Sequence, residues 1–310
     1  NKNLKNPLFC IMFFKIINRR YIRSRVIQFV YSDLILEDNI DKNILDFRKS
    51  ISNSLDLLYC SIDFIKEIKN HFLSIQTKKK SFEIILNNPY INFLSKIYIP
   101  NKRGVTINWE LNSNYIDDVK RRFIEKESSI KGKSDKEDLN FFIYFFSEII
   151  WNSEILYEFI QDQNITWTDD IPIINSYIIS IVKDLDLDKQ SKFKLPEIKD
   201  YKEEIIFGEK LIKEVFDNKD KLKSYLDGRV PNWDTKRIAQ IDLTILISAI
   251  AELIYFPLIP IKVTINEYIE ISKEYSSPKS NVFINGVLDK IVKDLSEDGT
   301  ISKTGRGLIT

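Results

Sequence analysis

Apolar residues recur along this chain three and four positions apart, and few stretches alternate strictly. That period matches the turn of a helix and not the two-residue repeat of a strand, so the pattern predicts an all-α protein. The final third is patterned most strongly. Asp234 is placed to cap a helix running to about Tyr255, with Ile238, Ile241, Ile245, Ala249 and Leu253 along its apolar side. Val263 or Thr264 opens the next helix, "INEYIEISKEY", and after the break "SSPKS" Ser280 is placed to cap "NVFINGVLDKIVKDL". Three helices with two short connections are expected to pack as a bundle.

Near the other end, "RRYIRSRVIQFVYS" (19–32) puts Ile22, Val26, Phe29 and Val30 on one helical face. Arg20 and Arg23 fall on one flank of that stripe, Tyr31 falls near Arg20, and Arg25 points elsewhere. Pro89, Pro100, Pro172, Pro196, Pro231, Pro257, Pro260 and Pro278 read as helix boundaries or first-turn residues. "KESSIKGKSDKED" (126–138) reads as a loop, "DKQSKFKLPEIKD" (188–200) as a linker and "SEDGTISKTGRGLIT" (296–310) as a flexible tail. "NSEILYEFIQDQNITW" (152–167) aligns without gaps on "NKDKLKSYLDGRVPNW" (218–233), which reads either as a degenerate internal repeat or as the ordinary likeness of apolar helices.

Composition narrows this little. A net charge of +1 excludes a protein that is basic throughout, so any anion binding must be local. Two cysteines, Cys10 and Cys60, form neither a metal spacing nor a disulfide framework and suit a reducing cytoplasm. The single methionine, Met12, marks the expected start, with residues 1–11 upstream of it. "PLFCIMFFKII" lacks a small-residue cleavage site, so no export signal is expected. The apolar run 238–261 contains Gln240, Asp242, Glu252 and Pro257, and reads as a buried helix and not a membrane span.

Arginine usage changes the picture more. The chain has 11 arginines against 35 lysines, yet Arg19, Arg20, Arg23 and Arg25 fall within seven positions with no acid among them. A guanidinium fork binds phosphate through two parallel hydrogen bonds and stacks on bases, which a lysine ammonium does not. A nearby tyrosine offers a plane for an unpaired base. The bland reading is a solvated basic helix start, although cations there oppose the helix dipole. Signatures of catalysis are missing. The lone histidine, His71, reads as an exposed helix residue, no G-x-G-x-x-G or P-loop occurs, and acid pairs such as Glu203/Glu204 read as solvated faces. No catalytic residue, metal or cofactor is expected.

Three stretches together resemble one family, the bacterial transcription antitermination factors of the NusB type. "NRRYIRSRVIQFVYS" (18–32) resembles the arginine-rich first helix of that family. Residues 232–295 resemble its C-terminal half, most tellingly in "RIAQID", "IPIKVTINEYIEISKEY" and "FINGVLDK", and "YKEEIIFGEKLIKEVF" (201–216) resembles the preceding helix more loosely. The resemblance implies an all-α, NusB-like double helical bundle. Its core would be 18–34 and 200–295, with a leader at 1–17, a large helical insert at 35–199 and a tail at 296–310. An enlarged member with such an insert and a "KTGRGLI" tail is similar to the form found in the Bacteroidetes lineage.

What the resemblance implies for function is specific. A NusB factor pairs with the ribosomal protein NusE, binds boxA RNA in nascent rRNA transcripts and works within the RNA polymerase antitermination complex. Carried over residue by residue, RNA contacts fall on Arg19, Arg20, Arg23, Tyr31, Lys279, Asn281 and Phe283, and the NusE-facing position on Asp242. Asp242 also reads as a polar interruption facing solvent, and Phe283 as core. Asn285 and Gly286 read as a place where helices approach closely or as RNA contacts, and Lys262 and Lys290 as surface lysines. Two other readings are a helical protein-interaction scaffold and a NusB-like part of an RNA-modifying system. The latter needs a glycine-rich cofactor loop, for which the insert offers only Gly104 and Gly132.

Overall fold

A computed structural model describes residues 16–36, 40–75, 80–99, 107–109, 112–126, 135–186, 193–230 and 238–308. Among these residues the regular structure is helical, without a strand. No helix among them is long and apolar enough to cross a membrane, and no group of three potential ligands could hold a metal ion. Residues 1–15 of the leader 1–17, with Cys10 and Met12, and Pro100, Gly104, Gly132, Pro231, Trp233 and Asp234 lie outside the described residues. The chain divides into two compact units, Ser50–Asp200 and Ile17–Lys49 with Tyr201–Thr310. Helix α2 (Ile40–Ser74) is continuous through the first boundary.

The first unit contains most of α2, then α3 (Lys80–Asn87), α4 (Pro89–Lys96), α5 (Ser113–Lys126), α6 (Asp135–Tyr144), α7 (Glu154–Gln163) and α8 (Trp167–Lys183). Its core is aromatic: Phe72 meets Phe82 and Phe123 edge-on, and Phe123 meets Phe145. Asn88 starts α4 by accepting from the amides of Tyr90 and Ile91, with Pro89 at the first helical position, where its missing N–H costs nothing. A π-helical turn, Phe145–Ile150, follows α6, and Arg122 donates to the carbonyls of Glu148 and Ile149 there. Pro172 departs from the boundary reading, because it sits inside α8. His71 is half-buried, 3.4 Å from Asp117, and not an exposed residue. Trp167 opens α8 fully buried, its indole donating to the Asn53 carbonyl. The proposed second copy of that motif carries only the six-residue α10 (Lys219–Ser224), and its tryptophan lies outside the described residues.

The second unit is built round α11 (Gln240–Tyr255), whose residues from Thr244 to Leu253 are all buried. A helix apolar on every side belongs at the centre of a bundle. Packed on it are α1 (Arg19–Leu36), α9 (Lys202–Asp217), α10, α12 (Ile261–Tyr275) and α13 (Ser280–Glu297). Gly208 lets α9 approach α1 and the start of α2: a Cβ there would stand 2.4 Å from Phe47 and 2.8 Å from Ile22. Residues beyond α13 are not a flexible tail. Ile301 is buried, Thr304 donates its amide to the Pro257 carbonyl, and a 3-10 turn spans Gly305–Leu308. At Gly307 a Cβ would lie 2.0 Å from the Pro257 carbonyl oxygen, so only glycine permits this docking. Gly286, by contrast, has nothing within 4 Å of an added Cβ, so it does not serve close helix packing.

Candidate nucleic-acid interface

Helix α1 lacks the two-faced character expected of it. Tyr21, Ile22, Arg23, Arg25, Val26, Ile27, Val30 and Asp33 are all buried, because α9, α11 and α12 surround the helix. The four arginines therefore separate into different environments.

Arg23 is 2 % exposed. Its Nε and Nη2 donate to the Glu252 carboxylate at 2.7 and 2.8 Å. Glu252, itself fully buried on α11, also accepts from the Thr264 hydroxyl at 2.8 Å, with the Tyr268 hydroxyl at 3.5 Å. Burial, with Glu252 alongside, pushes the Tyr268 hydroxyl well above its ordinary pKa. An ion pair this dry holds because fork geometry and added hydroxyls offset the desolvation of both ions. Arg23 therefore joins α1, α11 and α12 inside the bundle, which corrects its assignment as an RNA contact. Arg25 is also interior, donating to the Tyr21 hydroxyl and the Gln28 side chain, both at 2.9 Å.

Arg19 and Arg20 remain at the surface. The Arg19 guanidinium lies 4.4 Å from the centre of the Phe207 ring on α9. Arg20 donates from Nε and Nη2 to both carboxylate oxygens of Glu267 on α12, each at 2.9 Å. That bond holds the Glu267 carboxyl below its usual range. Glu267 also stands 3.6 Å from Arg23 Nη1, so one carboxylate serves an exposed and a buried arginine. Further along, Gln28 donates to the Tyr275 hydroxyl at 3.4 Å, so α1 and α12 run side by side in the same direction. Tyr31, 37 % exposed, stands one helical turn beyond Gln28, and Lys279 four residues beyond Tyr275.

The turn between α12 and α13 holds the other expected residues. Lys279 is exposed, Asn281 is half-buried with its side-chain oxygen accepting from the Val282 amide, and Phe283 is half-buried. Asp242 is neither solvent-facing nor open to a partner. It is 7 % exposed and accepts from the hydroxyls of Ser276 and Ser280, tying the start of α11 to this turn. Ser280 thus spends its hydroxyl on Asp242 and makes no cap for α13. Sequence reasoning missed Phe207, Glu252 and Glu267. Glu252 was legible as the one acid in the apolar run 243–256, which demands an internal partner; nothing local marks the other two.

The carboxyl end of α11 is likewise held by cations, which favour that end of a helix. Lys210 donates to the Tyr255 carbonyl and Lys303 to the Phe256 carbonyl. Burial brings the Lys303 ammonium down to about 8, although Glu252 pulls the other way.

The family model described as the NusB family matches residues 178–293. Proteins named "Transcription antitermination protein NusB" are similar to part of the chain. That of Salinibacter ruber is 43 % identical over 103 residues, 33 % of this chain and 64 % of the relative. That of Chloroherpeton thalassium is 39 % identical over 126 residues, 40 % and 59 % of the two chains, and that of Methylacidiphilum infernorum 41 % over 86 residues, 28 % and 60 %. The match thus spans about three fifths of these relatives' lengths. No solved structure matches the chain. The helices that receive the arginines of α1 therefore lie within the stretch, residues 178–293, that matches the NusB-family model.

Proposed function

We propose that this protein is a non-enzymatic, cytoplasmic transcription antitermination factor. It binds boxA-type single-stranded RNA together with the ribosomal protein NusE, within the RNA polymerase antitermination complex that supports rRNA transcription. The supporting observation is the pair of surface arginines on α1, Arg19 over Phe207 and Arg20 on Glu267, whose partners lie in the residues 178–293 that match the NusB-family model. Arg19 and Arg20 are the phosphate contacts, and Tyr31, Lys279, Asn281 and Phe283 supply stacking and polar contacts to the bases. Asp242 acts on NusE only through the α12–α13 turn that it holds.

Gel-shift titration on boxA and scrambled RNA, with and without NusE, tests this reading. Two phosphate contacts contribute about −1.4 to the salt slope on single-stranded RNA, at about −0.7 per contact. Arg19→Ala with Arg20→Ala should flatten it by about 1.4 while leaving the melting temperature nearly unchanged. NusE captured without any RNA retention would favour a protein-binding scaffold instead.

A further inference from the structure

Arg20 is the arginine best placed to meet a phosphate, and an acid already occupies its fork. Both Glu267 oxygens sit 2.9 Å from its Nε and Nη2, the two-point arrangement a phosphate would adopt. We infer that Glu267 is a built-in phosphate surrogate that fills the Arg20 fork in the free protein and is displaced when RNA binds. The inference rests on the RNA-binding reading above.

Two features make the exchange cheap. The pair lies at the surface, with the Arg20 side chain 47 % and that of Glu267 20 % exposed, where an ion pair contributes at most about 1 kcal/mol. Its interior neighbour, Arg23 with Glu252, is 3 % and 0 % exposed and is locked. The displaced carboxylate is not stranded either, because Arg23 Nη1 stands 3.6 Å from it. Further along α12, Glu270 and Glu274 also lie close enough to act on the charge of Arg20, and Glu270 is held by Lys273 at 2.6 Å. A polyanion therefore meets an acidic flank along α12 and must compete with Glu267 for the guanidinium. This raises the threshold for non-specific RNA while sparing a ligand that makes several contacts at once.

The test compares wild type, Glu267→Gln, Glu267→Asp, Arg20→Ala and the Arg20→Ala/Glu267→Gln double variant, each checked by thermal melting. Binding is read by fluorescence anisotropy on boxA RNA across a salt series. Glu267→Gln should bind up to about fivefold tighter with little change of slope, because Arg20 contacts a phosphate in both proteins. Glu267→Asp, which keeps the charge but withdraws it, should fall between, and in the Arg20→Ala background the gain should vanish. A wild type that does not bind while Glu267→Gln does would support the surrogate in its strongest form. If wild type binds and Glu267→Gln binds no tighter, the surrogate falls and the RNA reading stands. If neither binds, both fall.

Discussion

Glu252 loses its ion-pair partner inside the bundle when Arg23 is truncated, keeping the Thr264 and Tyr268 hydroxyls beside it. Arg23→Ala is therefore expected to cost about 3–5 kcal/mol in urea denaturation, whereas Arg23→Met with Glu252→Leu should cost much less. A loss below about 1 kcal/mol for the single change would mean the pair is not structural. Lys303 gives a second test. Its folded-state pKa of about 8 lies below the ordinary lysine value of 10.5, so between those values the unfolded chain holds more protons. Stability should rise with pH through this window, and Lys303→Met should remove that rise. The comparison is cleanest below about pH 9, before Tyr268, whose buried hydroxyl stays protonated in the folded state, begins to ionise in the unfolded chain. At this level the sequence was only partly legible. It marked four arginines, but which of them face water depends on Glu252, 229 positions from Arg23.

The helices themselves follow from local pattern. The three- and four-residue period, Asn88 before Pro89 and the punctuation at Pro257, Pro260 and Pro278 are all local in the chain, and helices form through local bonds. Contacts between helices are less visible. Gly208 lies inside a helix, where glycine is unfavourable by roughly 0.5–1 kcal/mol, and the close approach of Phe47 and Ile22 explains its presence. Gly208→Ala should destabilise the second unit by about 1–3 kcal/mol through overpacking, despite its better helix propensity. A stabilised variant in chemical denaturation would show that α9 has room to shift. Likewise, the polar, glycine-bearing stretch after α13 read as a free tail because its anchor is the backbone oxygen of Pro257, about fifty residues earlier.

Across the whole chain, two cores stand in separate compact units: one aromatic, around Phe72, Phe123, Phe145 and Trp167, the other aliphatic, around α11. Thermal unfolding should then show two transitions. Trp167→Ala, expected to cost about 3–5 kcal/mol, should lower one, and Gly208→Ala the other. A single transition that moves with either substitution would refute separate cores. The family resemblance pointed to the second unit from motifs such as "FINGVLDK", and the family match falls on 178–293.

Helix content, the buried character of α11 and the family-model match of residues 178–293 were written in the order of residues, because each depends on neighbours within a few turns or on motifs read in line. The division of the arginines into two interior and two surface groups was not, nor were the pairing of Arg20 with Glu267 and the role of Asp242 as an internal brace. Those depend on which distant side chain faces each charge. Burial and Coulomb attraction act through space, and only the folded bundle supplies those distances.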